Sequence, residues 1–392
     1  MFWNVQVNYK EVSIVSKKVL ILILAVVVVV ALAAVYFTRT SVPEVATDAT
    51  GFKIGIVTGT VSQNEDEYRG AEAAIAKYPD LIKHVTYPDN FMQEQETYIA
   101  QITGLAADPE VKAIIVNQAV PGTIAAVRRV RETRPEMIFI AGLPHEDPPL
   151  LEREVEVTLI PNQPERGKTI PQLAKKMGAT ALLHYSFPRH MSYAQLAERR
   201  DLMRAECEEL GMEFVDVNAP DPMGEGGIPA SQQFILEDVP RQVAKYGKDI
   251  ALFSTNCAMQ EPLIAAALQT GAIFPEQCCP SPTHGYPGAL ALEITDEIKG
   301  NFPAIMEAID DKIVEAGRAG RFATWPVATG FLHSIGGVEV AKLALEGKLD
   351  LNDIDAVSEV ISEVAETEIK MARLSDEGNF YMYIVDSHIF GE

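Results

Sequence analysis

The sequence has little positive charge, because 33 lysines and arginines stand against 55 aspartates and glutamates and the formal net charge is −22 over 392 residues. Consecutive lysines or arginines never number more than two, although four arginines fall within residues 128–134. Nucleic-acid-binding surfaces need clustered basic side chains to neutralise phosphates, so we expect no nucleic-acid partner. The 47% hydrophobic and 22% charged content is typical of a globular protein, and the length favours two lobes or domains.

Diagnostic enzyme and metal motifs are also missing. The seven histidines form no His-x-His or His-x-x-x-His pair and the four cysteines have no zinc-like spacing, so the sequence predicts no metal site. Gly167-Lys168-Thr169 resembles the end of a phosphate-binding loop, but Asn162 occupies the place of its first glycine. The chain has neither a Gly-x-Ser-x-Gly elbow nor a Gly-x-Gly-x-x-Gly turn after its first predicted strand. We therefore expect a protein that is not an enzyme and holds no cofactor.

The cysteines leave two alternatives open. They are Cys207, Cys257 and the adjacent pair Cys278 and Cys279. In an oxidising compartment Cys257 could pair with Cys278 or Cys279, because both segments follow strands predicted to be neighbours. The other interpretation is that the thiols are buried and unpaired.

One long uncharged run, residues 19–37, lies near the N-terminus. As a helix it is roughly 28 Å long, enough to span a bilayer, and the preceding Lys17 and Lys18 place the N-terminus in the cytoplasm. It is either a retained anchor or a secretory signal ending at the small-x-small pattern Ala31-Leu32-Ala33, and it has no lipobox cysteine. We expect a cytoplasmic segment 1–18, a transmembrane or signal segment 19–37, a linker 38–50, and an extracytoplasmic main part, in the periplasm or at the cell surface.

From residue 52 onward, apolar strand patterns alternate with helix patterns. Strands are predicted at 52–57, 84–87, 111–116, 137–141 and 155–160, and a second series at 181–185, 213–217 and 249–254. A final acidic helix near 354–372 and a strand at 380–385 follow. Strands separated by helices imply parallel sheets, so the sequence predicts an α/β fold of two Rossmann-like lobes preceded by one hydrophobic helix.

Polar side chains follow several of these strands, above all in the segment after residue 181, ALLHYSFPRHMS. Ligands of open α/β sheets bind beyond the carboxyl ends of the strands. The candidate ligand-binding residues are therefore Thr58, Thr60, Asn117, Gln118, His145, His184, Tyr185, Ser186, Phe187, Arg189, His190, Asn256, His284 and Trp325.

Each candidate also has a structural alternative. Thr58 and Thr60 could only shape a turn, and Asn117 and Gln118 could cap a helix. Arg189 could pair with one of the many carboxylates instead of a ligand. The same residue types serve both purposes, so both interpretations stay open at this point.

The order of elements resembles the type I periplasmic-binding-protein superfamily, and within it the basic-membrane-protein-like receptors and a related uncharacterised domain family. The resemblance covers residue 51 to the C-terminus and is carried by FKIGIVTGT, EYRGAEAAIAKYP, DPEVKAIIVNQA, MIFIAGLP and ALLHYSFPRH. It implies two lobes joined by several crossovers and closing on a small solute. We expect the first lobe to hold residues 51–160 with part of 285–325, and the second to hold 161–284 with part of 326–392.

The resemblance also implies a function. The sugar-repressor branch carries an N-terminal DNA-binding unit, and this chain has a hydrophobic segment in its place, which favours the receptor branch. We expect an extracytoplasmic solute-binding protein for a small polar or aromatic metabolite, with a membrane transporter as partner and the membrane contacted through the N-terminal segment. The alternatives are a membrane-anchored ligand-sensing ectodomain and an exported hydrolase using His184 or His190 as its base.

Overall fold

The computed structural model describes residues 51–61, 63–295 and 297–392. The predictions for residues 1–18, 19–37 and 38–50, including the hydrophobic helix, lie outside the described residues. Within the described part, no helix combines the length and the apolar character needed to cross a membrane.

The strands and helices alternate along most of the described chain. The strands are β1 Lys53–Thr58, β2 Ile82–Thr86, β3 Val111–Asn117, β4 Ile138–Gly142, β5 Val157–Pro161, β6 Ala181–Ser186, β7 Glu213–Asn218, β8 Ile250–Ser254, β9 Ala323–Thr324, β10 Ile369–Arg373, β11 Phe380–Val385 and β12 His388–Ile389. The helices are α1 Glu65–Lys77, α2 Gln95–Ala106, α3 Thr123–Arg131, α4 Pro148–Leu151, α5 Gln163–Lys176, α6 Pro188–Met191, α7 Ala194–Glu209, α8 Gly227–Tyr246, α9 Gln260–Thr270, α10 Tyr286–Ala289, α11 Phe302–Glu315, α12 Thr329–Leu345 and α13 Ile354–Ala365.

The first lobe is built on a seven-stranded sheet with the order β10-β11-β5-β4-β3-β1-β2. Its strands pair in parallel except β10, which runs antiparallel to β11. Apolar side chains point to both faces, as a parallel sheet covered by helices on both sides requires. Ile54 and Ile115 lie in one core, whereas Val57 and Ile114 lie in the core on the opposite face.

The second lobe is built on the parallel sheet β7-β6-β8. Single parallel bridges from Ala251 to Ile273 and from Phe274 to Phe322 extend this sheet beyond β8. Cores lie on both of its faces, so the predicted α/β architecture with two mostly parallel sheets is confirmed.

The chain passes between the lobes three times. The crossings are the connections from β5 to α5, from β9 to α12 and from β11 to β12. Several crossovers are what the resemblance implied.

The structure places most of the C-terminal segments in the other lobe from the one predicted, although Ile389 and Phe390 pack in the second lobe as the prediction allowed. Residues of the 285–325 segment pack in the core of the second lobe, since Tyr286, Ile305 and Ile309 bury their side chains there. From 329 to 385 the chain belongs to the first lobe, because β10 and β11 join its sheet. The predicted helix near 354–372 ends at Ala365, and Glu366 then takes a left-handed conformation with φ of 52°.

Candidate functional site

The first candidates lie at the carboxyl end of β1. Thr58 is fully buried; its hydroxyl donates to the Gly59 carbonyl at 2.8 Å and lies 2.7 Å from Nε2 of His84. The hydroxyl of Thr60 donates to Oδ1 of Asp89 at 2.5 Å. Both threonines therefore have protein partners that hold the turn in place.

The ends of β3 and β4 place three more candidates next to each other along the same sheet edge. Asn117 is buried, with its amide nitrogen donating to Oγ of Ser334 at 2.5 Å and its Oδ1 lacking a hydrogen-bond partner. Gln118 adopts a left-handed backbone with φ of 56°. His145 is exposed, with its ring centroid 6.5 Å from that of Phe91. A left-handed residue in a polar turn is common at functional sites.

A buried acid, Glu67, lies behind this edge and was not among the sequence candidates. Its carboxylate accepts from the backbone amide of Gly59 at 3.3 Å, from Nδ2 of Asn64 at 2.9 Å and from the side chain of Gln118. Burial raises the pKa of Glu67 to about 8 because few polar groups replace the lost water. Near Glu67 the sequence offers one signal, Asn64, which is the N-cap residue of α1. An N-cap residue predicts where a helix begins, but it does not show that an acid in the first turn is buried.

The candidates Tyr185 and Phe187 belong to the core of the second lobe. The Tyr185 hydroxyl donates to Oδ2 of Asp238 at 3.1 Å, and the Phe187 side chain is 1% exposed. Their aromatic faces are therefore occupied by protein atoms in this conformation.

His184 is buried between the rings of Phe214 and Phe253, with centroid separations of 5.8 and 6.0 Å. Its Nδ1 lies 3.3 Å from Oδ1 of Asp216, and burial lowers its pKa. An open depression of about 220 Å³ begins at this strand end; it is lined by His184, Ser186, Pro188, Met191, Asp216 and Asn218.

The remaining members of this segment are bonded to neighbouring loops. The Ser186 and Thr255 hydroxyls are 2.9 Å apart, and Nδ1 of His190 lies 3.1 Å from Oγ1 of Thr255. Burial lowers the pKa of His190 to about 4. Arg189 donates from Nε and Nη2 to the two oxygens of Asp221 at 2.9 and 2.8 Å. This fork is the carboxylate pairing that the sequence left as an alternative to ligand binding.

A buried ion pair joins the three crossings between the lobes. Arg166, on α5, donates from Nε to Oε1 of Glu276 at 2.8 Å, and the two side chains are 0% and 3% exposed. Oε2 of Glu276 accepts from Nε1 of Trp325 at 2.8 Å and from Oγ of Ser387 at 3.0 Å. Trp325, a candidate ligand-binding residue, is thus a buried anchor at a crossing. No motif marked Arg166 or Glu276.

A direct contact between the lobes involves Asp66 at the start of α1. Its carboxylate accepts from the hydroxyl of Ser281 at 2.8 Å and from the hydroxyl of Thr283. Beside the contact lies a cavity of about 130 Å³, lined by residues of both lobes: Glu65, Asp66, Arg69, Thr283, Pro287, Ile294, Lys299, Gly300, Phe302, Ile305 and Phe331.

Three cysteines and a histidine meet at the carboxyl end of the second sheet. Cys257 follows Asn256, whose Oδ1 accepts from the Ala258 amide and begins a 3₁₀ turn. The Cys257 sulfur lies 3.6 Å from that of Cys278 and 3.8 Å from that of Cys279. His284 donates from Nδ1 to the Cys279 carbonyl at 2.8 Å. The structure brings these cysteines close together, and their sulfurs are free thiols. His284 joins them, which the sequence did not predict because its cysteines have no zinc-like spacing.

The loop that carries this cluster contacts the first lobe just beyond Cys279. The hydroxyls of Ser281 and Thr283 donate to the carboxylate of Asp66, and the neighbouring Glu67 accepts from the side chain of Gln118. The boundary between the lobes is the candidate site, and it unites Gln118, His145 and His284 of the predicted residues.

Comparisons with known proteins bear on this site. A family model described as "Protein of unknown function (DUF3798)" matches residues 52–323. An uncharacterised protein of Treponema pallidum (strain Nichols) is 37% identical over 180 residues, which is 44% of this chain and 81% of that protein.

Solved structures share the whole two-lobed arrangement. A crystal structure of a candidate transcriptional regulator from Clostridium difficile 630 is 30% identical, with a TM-score of 0.78 over 86% of this chain and 99% of that one. The substrate-binding protein of a sugar ABC transport system from Bordetella parapertussis 12822 is 11% identical, with a TM-score of 0.51 over 86% of this chain and 88% of that one. The predicted resemblance to the type I periplasmic-binding-protein fold is confirmed.

Proposed function

The chain belongs to the DUF3798 family of proteins of unknown function, and from its fold and site we propose that it is an extracytoplasmic solute-binding protein. It captures a small polar or aromatic metabolite between its two lobes and presents it to an ABC-type transporter. The hydrophobic segment 19–37 exports the binding part and either anchors it or is removed.

The observation that carries the proposal is the meeting of polar groups from both lobes near Cys279. Gln118 and His145 lie at the carboxyl edge of the first sheet, and His284 lies in the loop of the second lobe that contacts Asp66. Amide, imidazole and hydroxyl groups at such an edge supply directional hydrogen bonds to a small solute. The three crossings supply a hinge about which the lobes open and close.

A non-enzymatic role is part of the proposal. The exported-hydrolase alternative needs His184 or His190 as a general base, whose pKa should lie near the working pH. Burial lowers the pKa of both histidines, to about 4 for His190, and both rings pack against aromatic side chains. These surroundings support ligand contact or structure over proton abstraction.

Ligand sensing is the second candidate function. The 30% identical Clostridium difficile protein is described as a candidate regulator, and a sensor uses the same capture of a solute between lobes. A retained N-terminal anchor supports sensing or anchored capture, whereas a mature N-terminus at Ala34 favours a released binding protein.

The direct test is native purification followed by mass spectrometry of any small molecule released on denaturation. Protein freed of that molecule is then screened by thermal shift against sugars, nucleosides, flavins and amino acids. A solute at about 100 times its Kd stabilises the folded chain by about 2.7 kcal/mol. The absence of any stabilising solute in the freed protein would overturn the proposal.

A variant of the lobe contact tests the closing motion. Asp66→Ala removes the acceptor of both Ser281 and Thr283, so the closed form is less populated and the apparent Kd of the identified solute rises several-fold. Glu72→Ala is the matched control, because the exposed Glu72 side chain pairs with Arg69 within the same helix and does not line the cavity. Equal affinities for the two variants would contradict closure through this contact.

A further inference from the structure

The thiol cluster of the second lobe has the donor set of a metal site. The ligand atoms of Cys257, Cys278 and His284 all lie within 4.8 Å of one another. Thiolate and imidazole are the ligands that Zn²⁺ takes in proteins, and Cys₃His is a common tetrahedral set. Cys279 adds a third sulfur 3.8 Å from that of Cys257.

The spacing of the sulfurs fits a shared ion. Two thiolates that each lie about 2.3 Å from a tetrahedral Zn²⁺ are roughly 3.8 Å apart. The observed separations from the Cys257 sulfur are 3.6 and 3.8 Å, to Cys278 and Cys279 respectively. Bonded sulfurs in a disulfide are only about 2.05 Å apart.

One ring nitrogen of His284 lies within 4.8 Å of both sulfurs, those of Cys257 and Cys278. Nδ1 of this histidine can only donate to the carbonyl oxygen of Cys279, so Nε2 keeps the lone pair that binds a metal. Such a hydrogen bond from the second ring nitrogen to a carbonyl is the usual support of a metal-bound histidine.

Buried side chains hold the cysteine loop in place. Arg166 donates to the carbonyl oxygens of Gln277 at 2.5 Å and Cys278 at 2.9 Å. The amide of Gln277 donates to the carbonyl oxygens of Ser281 at 2.8 Å and His284 at 3.2 Å. A loop braced in this way presents its ligands with little freedom, which a metal site requires.

We propose that Cys257, Cys278 and His284 bind Zn²⁺. The ion ties the turn after β8 to the loop before α10, at the boundary of the two lobes. Cys257 is exposed, so the ion can enter from solvent. This inference does not depend on which solute the protein binds.

The test is a Zn²⁺ titration of the full chain, purified in detergent under reducing conditions and stripped with a chelator. We expect one ion per chain, and with Co²⁺ a thiolate-to-metal charge-transfer band together with tetrahedral d–d bands. Cys257→Ser and Cys278→Ser should each weaken Zn²⁺ binding by at least about 100-fold. Loss of a residue that only supports a metal ligand weakens binding by up to about 100-fold, so loss of a ligand itself should weaken it at least as much. Cys207→Ser is the matched control, because Cys207 is a buried thiol of α7 that belongs to a separate core.

A second measurement needs no variant. In the wild-type chain, alkylation mapped by mass spectrometry should modify Cys257 without Zn²⁺ and spare it with Zn²⁺. Three results would each overturn the proposal. The first is stoichiometric Zn²⁺ binding that survives the loss of Cys257 and Cys278, and the second is a failure of Zn²⁺ to protect Cys257. The third is a disulfide bond of Cys257 in chain isolated without reductant or chelator.

Discussion

The buried Arg166–Glu276 pair at the crossings gives the sharpest test of what holds the two lobes together. Glu276→Gln keeps the shape of the side chain and removes its charge. Oε1 of Glu276 accepts a hydrogen bond from Arg166, and Oε2 accepts from Trp325 and Ser387. Both oxygens of the carboxylate are therefore acceptors. A glutamine amide can accept on one side only and must point its NH₂ group at a donor on the other.

The magnitude follows from burial. The two side chains are 0% and 3% exposed, so the variant leaves the Arg166 guanidinium without its counter-charge in a site from which water is excluded. Removing one partner of a buried pair costs about 3–5 kcal/mol of the free energy of unfolding, and each orphaned donor contributes about 1–3 kcal/mol of that loss. Glu110→Gln is the matched control, because Lys53 and Glu110 are 32% and 60% exposed and such a pair contributes about 0.2–1 kcal/mol.

The assay is urea unfolding of wild type and both variants, followed by circular dichroism. We expect a loss of at least about 3 kcal/mol for Glu276→Gln and at most about 1 kcal/mol for Glu110→Gln. Adding Arg166→Met to Glu276→Gln should recover part of the loss, since no uncompensated charge remains. Similar losses for the two glutamine variants, or no recovery in the double variant, would refute the reasoning.

Two further predictions concern the first lobe. Burial raises the pKa of Glu67 from its ordinary 4.5 to about 8, so between these values the folded chain holds a proton that the unfolded chain releases; the unfolding free energy should fall by up to about 4 kcal/mol as the pH rises through this window. Urea midpoints from pH 5 to 8 should show a smaller fall for Glu67→Gln, and parallel pH profiles would contradict the assignment. A Cβ on Gly70 would lie 2.7 Å from Cβ of Ser334 where α1 packs on α12, so Gly70→Ala should lose about 1–3 kcal/mol in thermal denaturation. Gly104→Ala, at a helical position with nothing within 4 Å of the added carbon, should be neutral or gain about 0.5–1 kcal/mol, and equal effects at the two glycines would show that packing is not the cause.

Most strands of both sheets could be predicted because they are short, largely apolar runs followed by a polar turn; β10 was missed, since Ile369–Arg373 falls at the end of the helix predicted near 354–372. The run ALLHYS is one example, and the structure has β6 at Ala181–Ser186. The C-terminal part could not be divided correctly, because the sheet that a strand joins is decided by contacts far along the chain. β11 pairs with β5, more than 200 residues earlier, and nothing within FYMYIV indicates that partner.

The candidate site shows the same division between local and distant information. The strand-end rule selected Gln118 and His145, because the position of a polar residue after a strand is a local property. It gave no means to separate Arg189 from Arg166. The first pairs with Asp221, 32 residues away, and the second with Glu276, 110 residues away, so the counter-ion of a guanidinium becomes visible only after folding.

The cysteines show how a metal site can be missed when the motif is sought in short spacings. Known zinc signatures place two ligands within a few residues on one turn. Here the bridge between Ala251 and Ile273 sets two segments side by side in the second sheet, so Cys257 and Cys278 emerge at the same edge although 21 residues separate them. The pairing of segments in the sheet therefore brings the ligands together, as the short sequence interval does in known zinc motifs. If Zn²⁺ binds there, the relevant pattern in related sequences is a cysteine after β8 together with the Cys-Cys pair and His284, and not any fixed interval between neighbouring ligands.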